Sequence, residues 1–178
     1  MRSPGRASLV LTTLLALCTF APAAQAETAW IDDPNADGMV GSSLDIGGVL
    51  VANNDDALNL RVRVREVTHG DLAVWVEPKW SSKPTGAPFY IFASRHRESG
   101  TYSERYYPRD EQPCRGLRFS WQRHKRTVSI RIPSSCIFGG NYDALRVRLI
   151  TEVDGDDADV APGTPSGDWP YSRLVRRR

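Results

Sequence analysis

The run Ala57–Val67, "ALNLRVRVREV", decides the fold. Leu58, Leu60, Val62 and Val64 occupy alternate positions, and Asn59, Arg61, Arg63 and Arg65 occupy the positions between them. Successive side chains of an extended strand point to opposite faces, so this run is a strand with one face in a core and the other in water. The pattern returns at Thr127 to Ile132, where Val128, Ile130 and Ile132 alternate with Ser129 and Arg131. It returns again at Leu145 to Leu149, with Arg146 and Arg148 turned outward. Less regular strands are expected at Leu44 to Ala52, Leu72 to Val76, Phe89 to Ala93, Thr101 to Tyr106 and Leu117 to Trp121. Turn-forming clusters separate them, among them Asn53 to Asp56, His69 to Asp71, Lys83 to Gly86 and Phe138 to Asn141. No window has a sustained helical stripe. The expectation is an all-β chain: a single antiparallel β-sandwich of about eight to nine strands.

The ends of the chain define its organisation. Arg2 and Arg6 precede an almost uncharged, Leu-rich run from Ala7 to Ala21, and Ala24-Gln25-Ala26 supplies a small-x-small cleavage pattern. Residues 1–26 therefore read as a signal peptide, residues 27–175 as the sandwich domain and residues 176–178 as a frayed basic tail. A secreted protein without a membrane span is expected, because the apolar run is short of the roughly 20 residues a helical span needs. Cys18 as a lipidated residue is disfavoured by the bulky Leu17 before it. The signal takes two of the 23 basic residues with it, which leaves 21 against 21 acidic ones. A charge near zero argues against a nucleic-acid ligand, and what charge there is must act locally.

The same removal leaves two cysteines, Cys114 and Cys136, and in an oxidising compartment an isolated pair reads as one disulfide. They flank a hairpin made by Leu117 to Trp121 and Val128 to Ile132, turning near Arg123 to Arg126. Inward residues are odd-numbered on the first strand and even-numbered on the second, so facing residues must have numbers of odd sum. The cysteine numbers have an even sum. The bond must therefore lie beyond the regular ladder, where Pro113, Gly116 and Pro133 interrupt pairing.

The segments "SSLDIGGVLVANNDDALNLRVRVREV" and "CRGLRFSWQRHKRTVSIRIPSSC", with a closing acidic loop and "APG", resemble small secreted actinobacterial β-sandwich proteins. Their layout is similar to that of family 9-like carbohydrate-binding and DOMON-type domains, in which an Asp-rich turn and an "LDI" strand precede alternating strands. The resemblance implies a sandwich that binds a ligand and carries no catalytic residues. The heme-binding Met/His pair of DOMON domains has no counterpart, since Met39 is the only methionine after the signal.

Three groups of residues are candidate sites. In Asp33 to Gly38, "DPNADG", Asp33, Asn35 and Asp37 stand at alternate positions before a glycine, the spacing with which a loop wraps calcium. Leu44 stands where an EF-hand needs a glutamate, so a calcium site here requires Asp45 to complete it; the plain alternative is an Asp-Pro turn. A second acidic run, Asp154 to Asp159, opens a loop expected to extend to Ser166 and reads as solvated. Arg61, Arg63, Arg65, Arg131, Arg146 and Arg148 lie opposite the apolar faces of their strands. If those strands are neighbours they make one basic face, suited to an anionic polysaccharide or wall polymer. Trp75, Trp80, Tyr106 and Tyr107 are the aromatics placed to stack a sugar ring, whereas Trp121 reads as core. The three histidines, His69, His96 and His124, lie in no nucleophile or metal motif. The sequence reads as a non-catalytic binding module for envelope glycan or wall polymer, or else as a structural or protein-interaction domain.

Overall fold

The computed structural model describes residues 27–33, 43–80, 114–163 and 169–178, together with the backbone of strands at 89–95 and 102–107. The protein is an antiparallel β-sandwich. The described strands are β1 (Glu27–Ile31), β2 (Ile46–Asn53), β3 (Ala57–Val64), β4 (Gly70–Lys79), β5 (Phe89–Arg95), β6 (Tyr102–Tyr107), β7 (Arg118–Gln122), β8 (Thr127–Pro133), β9 (Ala144–Val153), β10 (Asp156–Ala161) and β11 (Val175–Arg176). One sheet has the order β1-β2-β3-β8-β7. The other runs β10-β9-β4-β5-β6, with β11 also paired to β9.

Alternation places the core. Leu58, Leu60, Val62 and Val64 of β3 join Val128, Ile130 and Ile132 of β8 on the inner face of the first sheet. Leu72, Val74 and Val76 of β4 meet them from the second, with Leu145, Val147 and Leu149 of β9. All are buried. In β2 the inward set changes parity, from Ile46 to Val49 and Val51, because Gly47 is an extra residue opposite the Val64–Arg63 step of β3. β3 stops at Val64, short of the Val67 expected from its alternation. The chain still bonds back, Arg65 N–H to the Asp45 carbonyl (2.8 Å) and Glu66 N–H to that of Ser43 (2.6 Å), but outside the ladder.

The β7–β8 hairpin has the odd-sum register, Phe119 facing Ile130 and Trp121 facing Val128. It turns through a single 3₁₀ turn at Arg123–Lys125, and Arg126 follows in the left-handed region (φ 50°). Cys114 and Cys136 form a disulfide past the open end of the ladder, with Cα atoms 5.4 Å apart. Closing a loop of this length stabilises the fold by about 3 kcal/mol through the unfolded chain.

Two segments differ from expectation. The acidic run expected to open a loop reaching Ser166 forms β10 with β9 as far as Ala161. Asp159 is only 6 % exposed. Its carboxylate accepts from the Ile46 N–H (2.6 Å) across the sheets and from the Val160 N–H (2.8 Å). The tail expected to fray is tied down. Arg176 pairs with Ala144, and the Arg177 guanidinium packs on Tyr142, 5.1 Å from the ring centre, and donates to the Gly140 carbonyl. Beneath it, buried Asn53 donates to the Val175 carbonyl (3.0 Å) and accepts from the Tyr142 hydroxyl (3.0 Å). Burial pushes that hydroxyl up to about 12, so it keeps its proton and remains a donor.

Removing the Asp159 carboxylate leaves two backbone N–H groups, one of them buried, without their partner. Asp159→Ala is expected to cost about 2–3 kcal/mol in urea denaturation. The exposed neighbour Asp156→Ala is expected to change stability by less than about 0.5 kcal/mol in the same assay.

Candidate functional site

The outer face of the five-stranded sheet is built from the residues that alternation turns away from the core. Their registers align across all five strands. One row reads Thr28, Ala52, Asn59, Arg131, Arg118, and the next reads Trp30, Leu50, Arg61, Ser129, Ser120. A third contains Gly48, Arg63, Thr127 and Gln122. Between the arginines the side chains are small, so the face sinks into a shallow open depression of about 490 Å³, lined by Asn59, Arg61, Arg118, Ser120, Ser129 and Arg131 among others.

The electrostatics of this face are unbalanced. Arg118 and Arg131 stand directly opposite each other on neighbouring strands. Like charges so placed are destabilising. Asp56 offsets part of this through one bond from Arg131 (2.9 Å), and that hydrogen bond draws the Asp56 carboxyl below its usual value. Among the described residues no carboxylate is paired with Arg61 or Arg118. Past the Arg63 end, the β7–β8 turn exposes Arg123, Lys125 and Arg126.

Trp30, 46 % exposed, closes the opposite edge. Its indole lies over Gly48, where a Cβ would come within 2.6 Å of the ring. The Arg63 guanidinium sits 5.5 Å from the ring centre and donates to the Gly47 carbonyl (2.7 Å). The indole N–H donates to Asp32. Gly47 and Gly48 thus serve a bulge and a flat aromatic seat.

The residues singled out in the sequence divide among several places. Arg61 and Arg63 lie on this face, and Arg65 is exposed just beyond β3. Arg146 and Arg148 do not share it, which corrects the expectation of one basic face. Their strand, β9, pairs with β4 and β10 in the other sheet. There Arg146 forms a two-pronged pair with Glu77 (2.6 and 3.0 Å). Arg148 lies within 6 Å of the ring centres of Trp75, Trp169 and Tyr171 and donates to the Trp169 carbonyl (3.0 Å). Trp75 is therefore half-buried against an arginine under the C-terminal segment. Trp80 packs on the core edge, donates to the Asn141 carbonyl and meets Phe138 edge to face at 5.2 Å. The side chains of Tyr106 and Tyr107, and all of His96, lie outside the described residues. His69 lies 3.4 Å from Asp154, and His124 is exposed in the basic turn.

The second sheet also gathers acidic charge. Asp71, Glu152 and Asp157 form one cross-strand row, and burial together with Asp157 and Asp71 raises the Glu152 carboxyl. Of the calcium candidates, Asp33 (5 % exposed) and Asp45 (2 %) are buried, and Asp33 accepts from the Gly163 N–H (2.7 Å). Asn35 and Asp37 lie outside the described residues. Among the described residues no group of three or more His, Cys, Asp or Glu is placed to hold a metal ion.

Sequence reasoning overlooked Trp30, Arg118, Ser120 and Ser129 as members of one face. The signal for Trp30 was present: in "TAWI" it alternates with Ala29 and Ile31, both buried. Fold and face together describe a β-sandwich module with one polybasic outer sheet. Comparison with protein-family models, curated proteins and solved structures returns no match. Among the described residues no helix is long and apolar enough to cross a membrane.

Proposed function

We propose that the protein is a secreted, non-catalytic binding module, and that the outer face of the five-stranded sheet holds an anionic envelope glycan or wall polymer. The observation that carries this reading is the directly opposed Arg118–Arg131 pair beside Arg61, which has no carboxylate partner among the described residues, in an open depression. An anionic group placed there relieves a repulsion that the free protein tolerates, and guanidinium forks bind such groups through paired hydrogen bonds. Trp30, 46 % exposed, adds apolar surface at the edge of this face. We also propose calcium as a cofactor of Asp33, Asn35, Asp37 and Asp45, of which Asp33 and Asp45 are buried. Hard oxygen donors of that kind suit calcium.

Retention on purified cell wall or acidic polysaccharide tests the main reading. Arg61→Ala and Arg118→Ala are each expected to weaken binding by roughly 0.5–1.5 kcal/mol, and added salt should weaken it further. Trp75→Ala should leave retention unchanged. A protein that ignores these polymers and instead co-purifies a partner protein would be an interaction domain.

A further inference from the structure

The arginines of the outer face are not scattered. With strands roughly 4.8 Å apart and a rise of roughly 3.4 Å per residue, the registers set Arg118, Arg131, Arg61 and Arg63 on a diagonal about 17 Å long. Arg118 and Arg131 together make its first step. The next steps, Arg131 to Arg61 and Arg61 to Arg63, are each roughly 7–8 Å. Beyond Arg63 the track runs toward the exposed cations of the β7–β8 turn, whose Arg126 carbonyl accepts from the Val64 N–H (3.0 Å).

A single small anion would use only one step of such a track; a chain with charges at a matching interval would use all of it. The interval is set by covalent geometry. Three backbone bonds of an extended chain span roughly 3.3–3.6 Å, so the two-residue step of a strand is a six-bond repeat of roughly 7 Å. A polymer of three-carbon polyol units joined by phosphodiesters also has six bonds between successive phosphorus atoms. Its charges fall in step with the arginines of an extended strand. Nucleic acid has the same six-bond spacing, but it binds single-stranded sites by stacking bases on aromatic platforms along the groove. Between the arginines here stand Asn59, Ser129 and Ser120, and the one indole of the face lies at its edge, partly covered by Arg63.

Resting on the polyanion reading above, we propose that this diagonal is a subsite track for a linear polyol-phosphate chain, about three phosphates long, crossing the sheet from the β7 edge to Arg63.

Fluorescence titration of the full-length oxidised protein with synthetic glycerol-phosphate oligomers of two, four and eight units tests this. Affinity should rise severalfold from two to four units and level off by eight. The logarithm of affinity should fall against the logarithm of salt with a slope of roughly −2, as expected for about three neutralised phosphates on a single strand. Arg61→Ala should reduce that slope by roughly 0.7, whereas Arg61→Lys should preserve it. Lys79→Ala, on the other sheet, is the control for fold and non-specific charge. Equal affinity for two and eight units would overturn the track in favour of a single-anion site. A polyuronate of equal charge bound as tightly, with the same Arg61 dependence, would overturn the phosphate spacing but leave the polyanion reading intact. Tighter binding of a single-stranded oligodeoxynucleotide would assign the face to nucleic acid. Binding of none of these polymers would overturn both readings.

Discussion

The structure depends on the burial of every second residue of β3. Leu58, Leu60, Val62 and Val64 lie at the centre of the first sheet and close against β4 and β9 of the second. Each fully buried aliphatic side chain contributes roughly 1.5–3 kcal/mol relative to leaving it in water. A slip of one residue would drive Arg61 and Arg63 into that core, where an unpaired charge is far costlier than any loss of apolar contact. The register of β3 is therefore fixed from both sides. Because β2 and β8 are paired to it, their registers are fixed as well, and through β8 so is that of β7.

What the inner face requires, the outer face must present. Alternation places four arginines of β3, β7 and β8 on one surface, and the pairing of β8 between β3 and β7 lines them up. Edge protection alone would be served by one or two charges. It gives no reason to oppose Arg118 to Arg131 directly or to fill the space between arginines with Asn59, Ser129 and Ser120. On the second sheet, by contrast, Arg146 and Arg148 of β9 are engaged within the protein. Arg146 is held by Glu77, and Arg148 is enclosed by three rings that pin the C-terminal segment. On the five-stranded sheet, Arg61 and Arg118 have no carboxylate partner among the described residues.

Much of the fold was legible because it is local. Period-two alternation located β3, β8 and β9, and the parity of the inward positions of β7 and β8 placed the disulfide beyond the hairpin ladder, where Cys114 and Cys136 are joined. Three strands were missed, each for a physical reason. β1 is short, and β11 is two residues long. β10 carries a register shift between Asp157 and Asp159, so Ala158 and Asp159 are buried in succession and the alternation is erased. The burial of Asp159 follows from a hydrogen bond to Ile46, over a hundred residues away, and no acidic run announces that. The candidate site was half legible for the same reason. Which residues face outward is a local property of each strand, but whether Arg61 shares a surface with Arg118 or with Arg148 depends on strand order. That order is set by long-range packing.

The most direct test is backbone amide chemical-shift mapping by NMR as an anionic wall polymer is added. Binding by the five-stranded sheet predicts shifts concentrated on β3, β8 and β7, at Arg61, Arg63, Ser129, Arg131 and Arg118, with β4 and β9 undisturbed. Shifts centred instead on Trp75, Arg148 and Trp169, with the five-stranded sheet silent, would contradict it.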